Sequence, residues 1–266
     1  MRAARELVER TLARFIELEA FDRAMALAGQ AFAALLPLLI VVAAISPTGA
    51  HDLADNMIGY FDLSGPAANI VRESVAQPPA MQDGVSLAGA FVLLLSGLSF
   101  TRALQRLYER AWRLPSRGVR GNAQGLQWLA GLSVFLSVRP VLGGLHGTAG
   151  LVFSLGAGTA LWLLTPWLLL DRRLAWRVLA PQALLTAAGL GLLGVVSTVY
   201  MPRAVARSAD QFGVFGVAFA LLSWLFLAGL VLVATAALGA VLGESGARSP
   251  RPGDATSPAP GRAPPA

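Results

Sequence analysis

The chain has 266 residues, 55% of them hydrophobic and 14% charged, with a formal charge of +6. A soluble domain carries about 25% charged residues, so this composition excludes an ordinary water-soluble fold, which would have to expose large apolar patches. All 21 basic residues are arginines scattered between hydrophobic blocks, the pattern of membrane-protein loops and not of a basic nucleic-acid-binding module, and the absence of cysteine excludes disulfides, thiolate catalysis and cysteine-ligated metal centres.

The first 19 residues predict an amphipathic helix. Val8, Leu12, Phe15 and Ile16 share one helical stripe, and Arg5, Glu9, Arg10 and Glu17 sit mostly off it. Such a helix is expected either in the headgroup plane or packed on the cytoplasmic ends of its own bundle. With no continuous apolar region and no small-residue cleavage site, it does not read as a signal peptide. Residues 1–23 are therefore read as an N-terminal amphipathic cytoplasmic segment.

Residues 24–243 predict a six-helix transmembrane domain, with spans at about 24–46, 85–107, 125–145, 148–170, 178–200 and 212–242. Roughly 20 residues at ~1.5 Å each cross a ~30 Å hydrocarbon core, which each block supplies. The first block contains Gln30 and Pro37. The loop that follows is mildly acidic and predicts two short interfacial helices, one carrying Leu53, Met57 and Tyr60 and the other Ile70, Val71 and Val75, separated by Ser64-Gly65-Pro66. The second block continues as a helix beyond the membrane to Leu114-Pro115, with Arg102, Arg106 and Arg110 four apart and Glu109 placed to pair with Arg113. Arg139-Pro140 interrupts the far end of the third block. The fourth, which contains Pro166, closes at Asp171-Arg172-Arg173; the fifth, with Pro181 and Gln182, ends at Met201-Pro202-Arg203. Residues 244–266 are Pro-, Ser- and Arg-rich and predict a disordered cytoplasmic tail. The expected fold class is an all-α membrane protein with six transmembrane helices, an N-terminal amphipathic helix and short interfacial helices in the first outer loop.

Arginine sets the orientation. With the N-terminus inside, the cytoplasmic side holds Arg2, Arg5, Arg10, Arg14, Arg23, Arg102, Arg106, Arg110, Arg113, Arg117, Arg120, Arg172, Arg173, Arg177, Arg248, Arg251 and Arg262. The outer side holds Arg72, Arg139, Arg203 and Arg207. Seventeen against four is a strong positive-inside bias, which places both termini in the cytoplasm.

Several landmarks occur in a recognisable order. They are the proline in the Leu-rich run Phe32 to Leu39, the arginine-bearing exit from Leu98 to Leu114 with Tyr108 and Trp112, and Trp162-Leu163-Leu164-Thr165-Pro166. Ala175-Trp176-Arg177, Leu179-Ala180-Pro181 and Phe212-Gly213-Val214-Phe215-Gly216 with Trp224 complete the set. In this the chain, roughly from Arg23 to Leu242, resembles the YihY/BrkB family of bacterial inner-membrane proteins. It departs at Gly29, Gln30 and Ala34, at Gln182, and at Ala236-Ala237-Leu238-Gly239-Ala240, where the family often carries an acidic residue. The resemblance implies a six-helix protein of the bacterial plasma membrane. That family was once labelled a ribonuclease and has been linked to envelope integrity and resistance to host killing.

The residues argue against an enzyme. Metal-dependent RNA hydrolysis needs clustered His and carboxylate ligands, whereas His51 and His146 are the only histidines and both fall on the outer side. Serines such as Ser96, Ser99, Ser133 and Ser137 recur at helical spacing, where bonding to their own helix is the ordinary use. No catalytic, metal or cofactor site is expected, and no nucleic acid as partner. Transport of a lipid or other amphiphile is the leading expectation. Gln30, Pro37, Arg139, Pro166, Pro181 and Gln182 are candidate pathway or hinge residues, because proline frees backbone carbonyls and a charge at membrane depth suggests function. Arg102, Arg106 and Arg110 are candidate contacts for lipid headgroups, with membrane lipids as partners. The alternative is a non-transporting envelope scaffold that binds partner proteins or anionic lipids. Small residues at Gly150, Ser154 and Gly158, and at Gly189 and Gly194, suit close helix packing and leave the oligomeric state open.

Overall fold

In the computed structural model of the chain, the described residues are 2–45, 54–55, 58–59, 65–76, 85–116, 118, 123–132 and 147–247. Their regular structure is helical throughout. The elements are α1 (Arg2–Glu17), α2 (Ala20–Ile45), α3 (Gly65–Ala76), α4 (Val85–Ala111), α5 (123–132), α6 (Gly147–Leu169), α7 (Trp176–Phe212) and α8 (Val214–Ala247). The second outer-loop helix thus stands as α3, whereas most of the first expected one, Arg139, both histidines and the tail beyond Ala247 lie outside the described residues.

Two helices end by the same device. At the end of α4 the Leu114 amide reaches the Glu109 carbonyl (2.7 Å) and the Arg113 amide reaches that of Arg110 (3.1 Å). At the end of α6 Arg172 bonds Trp167 (2.8 Å) and Asp171 bonds Leu168 (2.9 Å). These are Schellman closures, which need a left-handed residue just past the helix. Arg113 (φ 50°) and Asp171 (φ 55°) fill that role where glycine is usual.

α7 does not stop at Met201-Pro202-Arg203. It runs on to Phe212, with Pro181 and Pro202 inside it. Two contacts hold the helix around Pro202, whose missing amide leaves the Thr198 carbonyl without its ladder partner. The Arg203 guanidinium donates to the Val199 carbonyl (2.7 Å). Met201, Val205 and Ala209, four apart on one face, are buried against Ala54, Ala68 and Val71, so packing by α3 holds the extra turns in place. Gly213 then turns the chain at φ 57° and ψ −133°, outside the wells that L side chains use, and α8 returns along α7. A Cβ on Gly216 would run into the Ser208 backbone, so this corner requires a glycine there as well.

The principal core lies at the arginine end of the bundle. Leu18, Leu104, Leu107, Tyr108, Leu169 and Leu170 pack there with Val233, Ala236 and Ala237. The turn joining α1 to α2 therefore meets α4, α6 and α8 in one apolar cluster. Close helix approach depends on small residues: Gly229 faces the Ala24 backbone and Gly189 faces Val231. Away from this core Leu192, Val195, Val196, Val199, Phe215 and Phe219 are exposed. Among the described residues two helices, Trp176–Phe212 and Phe215–Glu244, are long and apolar enough to cross a membrane, and only 22% of each apolar window is buried. A core helix of a soluble protein would be mostly buried; these two leave their apolar surface facing outward.

Candidate functional site

The site is built where α1, α4, α6 and α8 end together. Arg14 is its centre, 4% exposed despite its charge. Its Nη1 donates to the Ala111 carbonyl at the end of α4 (2.6 Å) and its Nη2 to Glu244 Oε1 near the end of α8 (2.6 Å). Both acceptors sit at helix C-termini, where the backbone dipole favours a cation. Arg10 adds a longer contact to the same carboxylate (3.6 Å). One guanidinium thus ties the N-terminal helix to two helices far away in sequence.

Around it runs a band of ion pairs. Arg113 reaches Glu17 (2.8 Å), and Arg110 reaches Glu19 (3.8 Å). The hydrogen bond from Arg113, more than any other influence, holds the Glu17 carboxyl below its ordinary value of 4.5, and the Arg113 pKa rises in turn. Burial, aided by nearby Arg110, lowers the Arg23 pKa. Arg113 therefore turns to α1, away from the helical partner that its spacing to Glu109 suggested. Glu109 is 2% exposed; its Oε1 accepts from Arg173 (3.0 Å) and from Gln105 Nε2 (3.0 Å). Arg173 also donates to the Pro115 carbonyl (3.0 Å), which pins the loop after α4 to the end of α6.

Two clefts open in this band. One, of about 490 Å³, is lined by Glu17, Leu18, Arg110, Arg113, Leu114 and Pro115. The other, of about 220 Å³, is lined by Arg102, Gln105, Arg106, Glu109, Ser116 and Gly118. The three arginines expected to meet headgroups all fall here. Among the described residues no group of three or more His, Cys, Asp or Glu side chains is placed to hold a metal ion.

The described candidate pathway residues sit on three helices, α2, α6 and α7. Gln182 is buried on α7, accepts from Trp112 Nε1 (2.9 Å), and packs where a side chain on Gly239 would stand. Pro181 beside it is exposed, and Pro166 is buried within α6. Gln30 sits on α2 with its buried Oε1 lacking a hydrogen-bond partner, and Pro37 is a later residue of the same helix. Arg139 lies outside the described residues. Other interior polar groups pair across helices: Trp128 with Thr165 (3.0 Å), Thr186 with Thr235 (2.8 Å), and Trp224 with Ser197 (2.6 Å).

The family profile described as virulence factor BrkB matches residues 11–258. The chain belongs to the BrkB family. The match covers α1 from Thr11 onward and every later helix, so the Arg14 clamp and both clefts lie inside the BrkB region. Family and exposed apolar helices together make this a membrane protein of the BrkB family. No curated protein and no solved structure matches the chain.

Sequence reasoning missed the clamp in this BrkB chain. Val8, Leu12 and Ile16 are exposed, and the face turned to the bundle carries Arg14 and Leu18, with Leu7 and Thr11 half-buried. The i, i+4, i+7, i+11 spacing of Leu7, Thr11, Arg14 and Leu18 was the available signal, hidden because two of the four are polar.

Proposed function

We propose that the chain spans the bacterial inner membrane six times with both termini cytoplasmic, and translocates a lipid or other amphiphile in envelope maintenance, with no catalytic chemistry and no nucleic-acid partner. The supporting observation is that the two arginine-lined clefts stand at the end of an apolar bundle whose outer surface carries exposed Leu, Val and Phe. An amphiphile has a charged head and an apolar tail, and this arrangement offers each a matching surface within one molecule. The arginine bias sets the clefts at the cytoplasmic leaflet, where each arginine adds ~1 kcal/mol of attraction to anionic lipid.

A second reading, a non-transporting scaffold, has one observation in its favour. The interior pairs Trp112–Gln182, Thr186–Thr235 and Trp128–Thr165 satisfy one another and leave those groups little need of a polar passenger. Reconstitution separates the two. Vesicles carrying the full chain and a trace of headgroup-labelled phosphatidylglycerol should lose outer-leaflet label faster and to a greater extent than protein-free vesicles, and Arg110→Ala should slow the exchange. Exchange no faster than in protein-free vesicles would sink the transport reading and leave the scaffold.

A further inference from the structure

α4 carries one continuous stripe that changes character along its length. Phe91, Leu95, Ser99, Arg102 and Arg106 follow at i, i+4, i+8, i+11 and i+15, which brings them onto one face of the helix. Its apolar part is open: Phe91 is 61% and Leu95 51% exposed. Its basic part forms a wall of the smaller cleft, beside Gln105 and Ser116. Among the described residues that line the cleft Glu109 is the one carboxylate, and Arg173 pairs with it at 3.0 Å. Arg102 and Arg106 give the described lining of this cleft its basic character.

We propose that this stripe is a site for one anionic phospholipid, whose phosphate sits in the cleft of Arg102, Arg106 and Ser116 and whose acyl chain lies along Leu95 and Phe91. The inference rests on the reading above only in setting the arginine end at headgroup level. Charge and reach both select a lipid as occupant. Guanidinium groups one turn apart grip a phosphate from two directions, and Gln105 and Ser116 supply neutral donors. From Arg102 back to Leu95 is seven residues, about 10 Å of helix, which carries a phosphate at the cleft through the glycerol to the upper acyl chain. A free phosphate or a soluble glycerophosphate would use only the cleft and leave Phe91 and Leu95 bare. The cleft volume of about 220 Å³ accommodates a phosphate with its glycerol but not a large sugar headgroup.

Native mass spectrometry of the full chain in detergent tests this with three probes: phosphatidylglycerol, diacylglycerol and glycerol 3-phosphate. The expected result is one tight phosphatidylglycerol adduct. It should weaken about tenfold in Arg106→Gln and further in Arg102→Gln/Arg106→Gln, as loss of charge-assisted bonds requires. Leu95→Gln should weaken it severalfold, and Arg203→Gln/Arg207→Gln, on the other side of the bundle, should leave it unchanged. Circular dichroism on each variant identifies any that fail to fold. Equal binding by wild type and a folded Arg106→Gln would overturn the site, as would glycerol 3-phosphate competing as well as the intact lipid. Lipid binding without translocation in vesicles would sink transport and leave this site standing. Translocation with a phosphatidylglycerol adduct indifferent to Arg106 would do the reverse.

Discussion

A charge buried to 4% exposure needs partners with good geometry, and Arg14 has a helix-terminal carbonyl and a carboxylate, each at 2.6 Å. Replacing it with alanine removes the donor to Ala111 O and leaves Glu244 with the longer contact from Arg10. The expected cost is about 2–4 kcal/mol, measured as a lower midpoint of thermal unfolding in detergent. Gly239→Ala is expected to cost about 1–3 kcal/mol in the same assay, because the new methyl meets Gln182 and that side chain is fixed by its bond to Trp112. An unaltered midpoint for either variant would contradict the packing described here. Little of this was legible in the sequence. Gln182 stands out as an amide within an apolar block and reads as a candidate pathway residue, yet its partner lies 70 positions away, a separation at which residue type carries no signal. Arg14 looked like one more surface charge because the tertiary contacts that bury it are all distant in the chain.

At the scale of elements, helix existence was readable and helix ends were not. The apolar blocks predicted α2, α4, α6, α7 and α8, since apolar runs of this length can only be helices in lipid. The Schellman ends at Arg113 and Asp171 lack the usual glycine, though Pro115 one residue past Leu114 marked the first of them. Pro202 read as a stop because a proline removes a helix bond; packing on α3 overrides that local cost. How α1 is fastened carries a pH dependence. The Glu17 carboxyl is held below its ordinary 4.5 by Arg113, so its contribution is fully present above pH 4.5 and is lost as pH falls through the depressed value. Since the chain has no cysteine, a spin-label pair at single introduced cysteines, Ala13→Cys on α1 and Ala175→Cys before α7, reports this directly. The distance distribution should stay narrow from pH 7 to 5 and broaden below about pH 4.5. In Glu17→Gln it should already be broader at pH 7, and a distribution indifferent to pH in the native chain would contradict a part for the Glu17–Arg113 pair in fastening α1.

For the whole molecule, composition and arginine placement yield a membrane protein with one strongly basic end, and the exposed apolar helices and the BrkB family agree on the membrane. The same arginines on which the proposed orientation rests line the clefts, so that orientation and the site are tested together. Their convergence could not be read in advance: Arg102 and Arg106 share a helix, but Ser116 and Gly118, which line the same cleft, follow α4 on a loop held at Pro115 by Arg173, just beyond α6. The measurement that tests the account most directly is the sidedness of labelling by a membrane-impermeant maleimide. Ala4→Cys, Ala175→Cys and Gln211→Cys each occupy exposed positions in the otherwise cysteine-free chain. Ala4→Cys and Ala175→Cys should react only in inside-out vesicles, and Gln211→Cys only in intact spheroplasts. Reaction of Ala175→Cys and Gln211→Cys from the same side would mean that α7 does not cross the bilayer, and the account would fail at its base.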